Sequence, residues 1–258
     1  MIAVGTSGFR YKDWRGSFYP NDLPDDQLLA YYAERFTTVE LNFTYYGIPK
    51  PETIARMVER TPEGFTFWAK ANEATTHRRD RSVAAQFRDA VAPARDAGRL
   101  AGILFQFPYS FYNKARNRAY LGYLREDFPD DPLVVEFRNV GWAVEPVYNF
   151  LRHHQLGFCC VDEPAMEGLM PPVAVATSPV AYVRFHSRDA SKWYEGGGKE
   201  RYNYLYRRDE LAEWVPKTQQ LASDAEGVYI FFNNCHAGHA AVNATEFREM
   251  LKEIGLIA

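Results

Sequence analysis

Short apolar runs, rich in β-branched and aromatic residues, recur along the chain and stop at polar residues. They are IAVGTS (2–7), TTVELNF (37–43), FTFWAKA (65–71), LAGILFQF (100–107), LVVEFR (133–138), LGFCCVD (156–162), AYVRFH (181–186) and VYIFFNN (228–234). Amphipathic segments lie between them, such as DDQLLAYYAERF (25–36) and SVAAQFRDAVAPARDAG (82–98), the second running into Gly98 as a stop. Strand-like runs that alternate with helix-like sequence predict a parallel sheet with crossover helices, and eight of them predict a single-domain α/β (β/α)8 TIM barrel over residues 1–258. One connection departs from the rule. EPAMEGLMPPVAVATSP (163–179) carries four prolines and no helical period, which predicts a stunted or missing helix after strand six.

A barrel of this type carries its functional groups at the carboxyl ends of its strands. Three strands end in polar–apolar–polar order: Glu40-Leu41-Asn42, Glu136-Phe137-Arg138 and Arg184-Phe185-His186. Side chains alternate faces, so both polar members of each triplet point the same way, about 6.6 Å apart along the strand. Helices must cover the outer face, which leaves the barrel interior for the polar pairs. Lys70, Gln106, Asp162 and Asn233 stand at other strand ends, and Thr6 and Ser7 close the first. Asn233 and Asn234 must face opposite ways, and Asn233 is the one assigned to the pocket. Glu40, Glu136 and Asp162 balance Lys70, Arg138 and Arg184, with His186 able to titrate. Such a set is either an ion-pair network that closes the barrel top or a pocket for an anionic or polyhydroxylated small molecule, and the pocket is the expected reading.

Loops add candidates. ATTHRRDR (74–81) brings His77 toward the same mouth, and SRDASKWYEGGGKERYNYLY (187–206) suggests a flap in which Trp193, Tyr194 and Tyr202 cover the pocket. Gly196 to Gly198 lie too far beyond the strand to form a phosphate cradle. His153 and His154 fall on a helical stretch and are expected at the surface.

Composition narrows the classes. Hydrophobic residues make up 47% and charged residues 24%, enough for a large core. The net charge of −3 gives no basic footprint, so nucleic acid is an unsupported partner. The start MIAVGTSGFR is not a basic segment followed by a long apolar run, and no window reaches the length of a membrane span; a cytoplasmic protein without a membrane partner is expected. Cys159, Cys160 and Cys235 suit buried thiols better than a disulfide framework. CHAGH (235–239) has a metal-like look but not a zinc spacing.

GTSGFRYKDWRGSFYP (5–20), VELNFTYYGIP (39–49), FTFWAKANEATTH (65–77), LFQFP (104–108), VEFRNVGW (135–142), YVRFH (182–186) and FFNN with a later NA (231–234, 243–244) follow one another in an order that resembles the YecE-like family, catalogued as domain of unknown function 72. The resemblance spans nearly the whole chain and implies a TIM barrel; it implies no activity. Phe9 stands where the family commonly has tryptophan, Ser187 where it has glycine, and Cys235 where it often has an acidic residue.

Chemistry follows from the strand ends. Glu40, Glu136, His186 and Lys70 are the catalytic candidates; Asn42, Gln106, Arg138, Asp162, Arg184, Asn233, His77 and Tyr194 are the ligand-binding candidates. A phosphate- or sugar-containing ligand fits the cations, with hydrolysis of a phosphoester as the expected reaction type. Alternatives are a two-carboxylate glycoside hydrolase, which nearby arginines would hinder by lowering both acids' pKa values, and a non-catalytic ligand- or nucleic-acid-binding protein. No cofactor is expected; a divalent metal is a weaker alternative, since only His186, Glu40, Glu136, Asp162 and His77 would serve it. Schiff-base chemistry at Lys70 is a further option, although Glu40 on the next strand is an available ion-pair partner. If the pocket reading holds, alanine at Arg184 or Glu136 abolishes ligand binding while the fold survives.

Overall fold

The fold is described from a computed structural model, which describes residues 1–194 and 200–257. Eight parallel strands run β1 (Ile2–Thr6), β2 (Thr38–Leu41), β3 (Thr66–Lys70), β4 (Leu100–Gln106), β5 (Leu133–Glu136), β6 (Leu156–Asp162), β7 (Val180–Phe185) and β8 (Gly227–Phe232). Their order around the sheet is β1-β8-β7-β6-β5-β4-β3-β2, the neighbour sequence of a (β/α)8 barrel. Each strand except β6 stops one or two residues before the end of its apolar run, where the chain turns into the mouth.

The helices are α1 (Leu28–Ala33), α2 (Phe43–Tyr46), α3 (Pro51–Glu59), α4 (Ala84–Asp96), α5 (Ala115–Asp127), α6 (Glu145–His153), α7 (Arg208–Ala212), α8 (Trp214–Asp224) and α9 (His239–Glu253). Among the described residues, no helix lies between β6 and β7. That segment runs instead along the outside of β6: Phe158 N donates to Thr177 Oγ1 (2.8 Å), which donates to Leu156 O (2.6 Å). The prolines forbid a helix, and the hydroxyl supplies partners that a helix would not.

Among the described residues, the barrel closes without a ladder between β1 and β2. Thr6 N donates to the Tyr32 hydroxyl (2.9 Å), which donates to Thr38 O (3.1 Å), so a phenol from α1 bridges the seam. Above it, Gly8 N donates to Glu40 O (2.8 Å). Gly5 is required in this seam, because a Cβ there would lie 2.3 Å from Thr38 O.

Inside, Trp68, Tyr182, Tyr229 and Phe231 form an aromatic plug, with ring centroids 4.6 Å apart for Trp68–Tyr182, 5.3 Å for Trp68–Tyr229 and 5.1 Å for Tyr182–Phe231. Gly102 gives the Trp68 indole its room; a Cβ there would sit 2.6 Å from the ring. The plug fills the lower barrel and leaves the polar strand ends above it. Among the described residues, no helix is long and apolar enough to cross a membrane.

Candidate ligand site at the barrel mouth

Immediately above the plug lies a closed ionic layer built on Arg184 of β7. Its Nε and Nη2 donate to Glu40 Oε2 (3.0 Å) and Oε1 (2.8 Å), Nη1 donates to Glu136 Oε2 (2.6 Å), and Nη2 also reaches Ser7 Oγ (3.2 Å). Tyr182, one pleat below Arg184, donates its hydroxyl to Glu40 Oε2 (2.6 Å). Arg138 contacts Glu136 Oε1 (2.7 Å) and donates to Glu163 Oε2 (3.0 Å), while Glu163 Oε1 accepts from Met170 N (2.9 Å). Glu40, Glu136 and His186 are fully buried. Burial alone would raise the Glu136 carboxyl, but the Arg138 and Arg184 guanidiniums overcome it and hold the group well below the usual carboxylate range. Glu163 has one guanidinium, and burial wins there, pushing it up to about 7.

His186 sits in the same layer. Its Nδ1 is 3.0 Å from Asn233 Nδ2 and its Nε2 is 3.2 Å from Glu136 Oε1. Since the amide nitrogen can only donate, Nδ1 accepts and the proton belongs on Nε2, facing the carboxylate. Burial and then the Arg138 charge push the imidazole down to about 3, so it stays neutral. The ring is fully buried: Nδ1 is engaged by Asn233, and Nε2 lies against Glu136 Oε1 without a well-aligned hydrogen bond among the described residues.

Lys70 ends β3 beside this layer, and its situation is different. Glu40, its expected partner, has given both oxygens to Arg184 and Tyr182. Among the described residues no carboxylate comes within 4.0 Å of Lys70 Nζ, which instead rests 4.4 Å from the centre of the Tyr45 ring. Burial and then Arg184 lower its pKa to about 8, against the opposing pull of Glu136 and Glu40. The backbone that carries it is fixed: Thr44 Oγ1 donates to Lys70 O (2.6 Å).

A cavity of about 1640 Å³ opens above these groups. Lys70, Asn42, Gln106, Asn233, Tyr11 and Tyr202 surround its inner part. Asn42 Oδ1 is buried there without a hydrogen-bond partner among the described residues. Gln106 Nε2 donates to Phe107 O (2.8 Å), which leaves its carbonyl toward the cavity. Asn233 lines the cavity, whereas Asn234 is buried on the other side and donates to Tyr204 O and Asn243 Oδ1, both 2.8 Å away. The outer part runs over α1 and α3, past Leu29, Thr53, Arg56, Met57 and Arg60.

The whole-chain comparisons agree with the strand-end motifs. The model for "Protein of unknown function DUF72" matches residues 3–256. The chain belongs to the DUF72 family. UPF0759 protein YunF of Bacillus subtilis (strain 168) is 33% identical over 270 residues, covering 97% of this chain and 95% of that protein. Among solved structures, a DUF72 family protein from Thermotoga maritima MSB8 superposes with a TM-score of 0.91 at 40% identity, over 98% of this chain and 99% of the other. One from Enterococcus faecalis V583 gives 0.89 at 28% identity, over 98% and 96%.

Several candidates in this DUF72 barrel stand elsewhere than expected. Asp162 is the clearest correction. Cys159 points inward, its Sγ 3.9 Å from Glu136 Oε2, so alternation turns Asp162 out through the barrel wall. There it accepts from Arg188 Nε (2.9 Å) and Nη2 (2.7 Å), Tyr206 OH (2.9 Å) and Trp214 Nε1 (2.6 Å). The inward acid on this strand end is its neighbour, Glu163. Tyr194 is 60% exposed and lies outside the set of described residues around the cavity; Trp193 is the buried member, flanked by the guanidiniums of Arg138 (5.7 Å) and Arg201 (5.3 Å). Gly196 to Gly198 lie outside the described residues. His77 is set back from the cavity behind Tyr45, whose hydroxyl is 3.3 Å from its Nε2. His153 ends α6 and His154 follows as its cap, the first exposed and the second partly so.

Two members of the site escaped sequence reasoning. Tyr182 lies on the same inward register as Arg184, so extending the alternation one step back along β7 would have found it. Tyr11 carried no such signal. It is held by donating to Ser7 O (2.6 Å), next to Cys235, which burial pushes up to about 12. Cys235 therefore remains a thiol, donating to Ser7 O (3.3 Å). Among the described residues no three His, Cys, Asp or Glu side chains converge as a metal-ligand set.

Proposed function

We propose that this DUF72 barrel is an enzyme acting on a small, oxygen-rich anion of the sugar-phosphate kind, bound in the mouth cavity with its reacting end at Lys70. The observation that carries the reading is where positive charge goes unanswered. Every arginine of the ionic layer is matched by a glutamate, yet Lys70 on the cavity floor and Arg56 on its wall have no carboxylate within 4.0 Å among the described residues. Arg60, beside Arg56, donates to a backbone oxygen, Asp26 O (3.3 Å). A ligand with a phosphate toward the arginine pair and hydroxyl or carbonyl oxygens toward Asn42, Gln106, Asn233 and Lys70 would supply the missing partners.

The same geometry weighs against other chemistries. A glycoside hydrolase needs one protonated carboxyl facing an ionised one. Here a single guanidinium lies between Glu40 and Glu136, and Glu136 is held ionised. Phosphoester hydrolysis needs a base for water, and His186 has neither a nitrogen turned to the cavity nor a suitable pKa. Thermal-shift measurements test the reading. Glycerol 3-phosphate should raise the melting temperature where glycerol does not, and Arg56→Gln with Arg60→Gln should remove most of the shift. Equal shifts in wild type and the double variant would sink it.

A further inference from the structure

We infer that Lys70 is a nucleophile that forms an imine with the carbonyl carbon of an aldehyde or ketone held in the cavity. The inference rests on the reading above only for the phosphate handle.

An amine attacks a carbonyl only when it is unprotonated, reachable and held still. Lys70 meets all three conditions. It lines the cavity rather than the sealed layer below, and its strand is paired on both sides, Ala69 with Leu41 of β2 and Lys70 itself with Leu104 of β4. No carboxylate among the described residues locks its charge, because Arg184 has taken both oxygens of Glu40. The charge of the layer that acts on it most strongly is a cation, so burial and repulsion both favour the neutral amine, and a pKa of about 8 leaves roughly a tenth of the groups unprotonated at pH 7.

One proton carrier covers it and a second stands behind the first. The Tyr45 ring that covers Lys70 Nζ carries a hydroxyl 3.3 Å from His77 Nε2, and Thr76 Oγ1 is 3.0 Å from His77 Nδ1. His77 is presented on a single π-helical turn, Ala74–Arg78, followed by Arg79 in the left-handed region at φ 57°. Such turns cost backbone energy and recur at functional sites. Burial and then Lys70 lower the His77 pKa, so the ring is neutral and able to accept a proton; burial pushes Tyr45 up to about 12, so its hydroxyl remains a donor.

The step balances without a further reagent. The Lys70 nitrogen lone pair forms the C–N bond while the carbonyl π pair moves to oxygen, which takes a proton from the Tyr45 hydroxyl. The nitrogen releases a proton to water in the cavity, and Tyr45 recovers one through His77, which draws on the same solvent. The carbinolamine oxygen takes a second proton from solvent and leaves as water, giving the protonated imine. In sum, amine, carbonyl compound and one proton give iminium and water. Tyr45 and His77 are positioning and relay residues in this scheme; Lys70 is the catalytic one.

Reductive trapping tests it. The protein is incubated with glycolaldehyde phosphate and sodium cyanoborohydride at pH 8, and the adduct is located by peptide mapping. Among the lysines one adduct is expected, on Lys70, formed at least about tenfold faster than on any other lysine, because an ordinary lysine has far less free amine at that pH; the α-amino group, whose ordinary pKa is about 8, is labelled too and is told apart by the peptide map. The rate should rise with pH through about 8. Tyr45→Phe and His77→Asn should each slow it about tenfold, and His77→Asn should also alter the pH profile, which a merely structural role would not do. Label spread over exposed lysines with Lys70 untouched, or equal labelling of a folded Lys70→Arg variant, overturns the inference. Glycerol 3-phosphate, which has no carbonyl, separates the two claims. If it stabilises the protein and no adduct forms, the imine fails and the ligand reading stands. If Lys70 is trapped but glycerol 3-phosphate does not slow the reaction, the imine stands and the phosphate handle fails.

Discussion

Arg184 and Lys70 are two cations inside one barrel, on strands that face each other across the mouth, and their surroundings differ in every respect. Arg184 places its donors on two glutamates and a serine and is shut in above an aromatic plug. Lys70 has a ring face, a guanidinium nearby and open cavity. The first arrangement is what burial of charge requires if it is to be structural, with every guanidinium nitrogen given an acceptor and a bidentate grip on Glu40. The second leaves an interaction unmade that a bound ligand can complete. Polar groups in a barrel mouth therefore divide by whether their partners are already present, and under the proposed function that division separates support from chemistry.

Breaking the first arrangement should have the largest effect. Arg184→Met leaves Glu40 and Glu136 buried without their shared counter-charge and should cost about 3–5 kcal/mol, read as a loss of the folded state in denaturant unfolding. This reverses the expectation that alanine at Arg184 or Glu136 would spare the fold. Asp162→Asn disturbs the corresponding network outside the wall, where Arg188, Tyr206 and Trp214 converge, and should cost about 2–3 kcal/mol while leaving the trapping of Lys70 unchanged.

Lys70→Met should act in the opposite direction. The folded pKa of Lys70 lies below its ordinary value, so at pH 7 the folded protein holds a charge it would rather shed, and removing it should stabilise by roughly 2 kcal/mol after allowing for partial exposure. The sign has a pH signature. Between about 8 and the ordinary lysine range the unfolded chain binds more protons, so wild-type stability rises there and the advantage of the variant shrinks. A variant that is less stable than wild type at pH 7 would contradict the comparison. Glu163 offers a finer check. Its folded pKa of about 7 exceeds the ordinary carboxyl value, so the folded state holds the extra proton and stability falls as pH rises toward 7. Glu163→Gln should flatten that slope. Tyr194→Ala, at an exposed position, should change stability by no more than about 0.5 kcal/mol.

The barrel was legible because eight short apolar runs alternate with helix-like sequence, and the missing helix because four prolines deny a helical period. The triplets Glu40–Asn42, Glu136–Arg138 and Arg184–His186 were legible because alternation with a covered outer face leaves one orientation. Asp162 was misplaced for the same reason in reverse. In a strand buried on both faces, such as LGFCCVD, apolar residues stand on either side, and no pattern says whether Asp162 or Glu163 turns inward. Which carboxylate each arginine takes was beyond the sequence altogether. Glu40 stands on a strand that could serve either Lys70 or Arg184, and only the bidentate fit of the guanidinium decides it.

The seam between β1 and β2, bridged by the Tyr32 phenol instead of a ladder, explains the lopsided shape of the cavity. The bridge from Gly8 N to Glu40 O (2.8 Å) is the last tie across the seam; past it, residues of the segments 9–13 and 42–46 line the cavity, which extends between them toward α3. Under the proposed function, a ligand would reach Lys70 from that side, past Arg56 and Arg60, so the order in which it met the charges would be set by where the seam of the barrel lies.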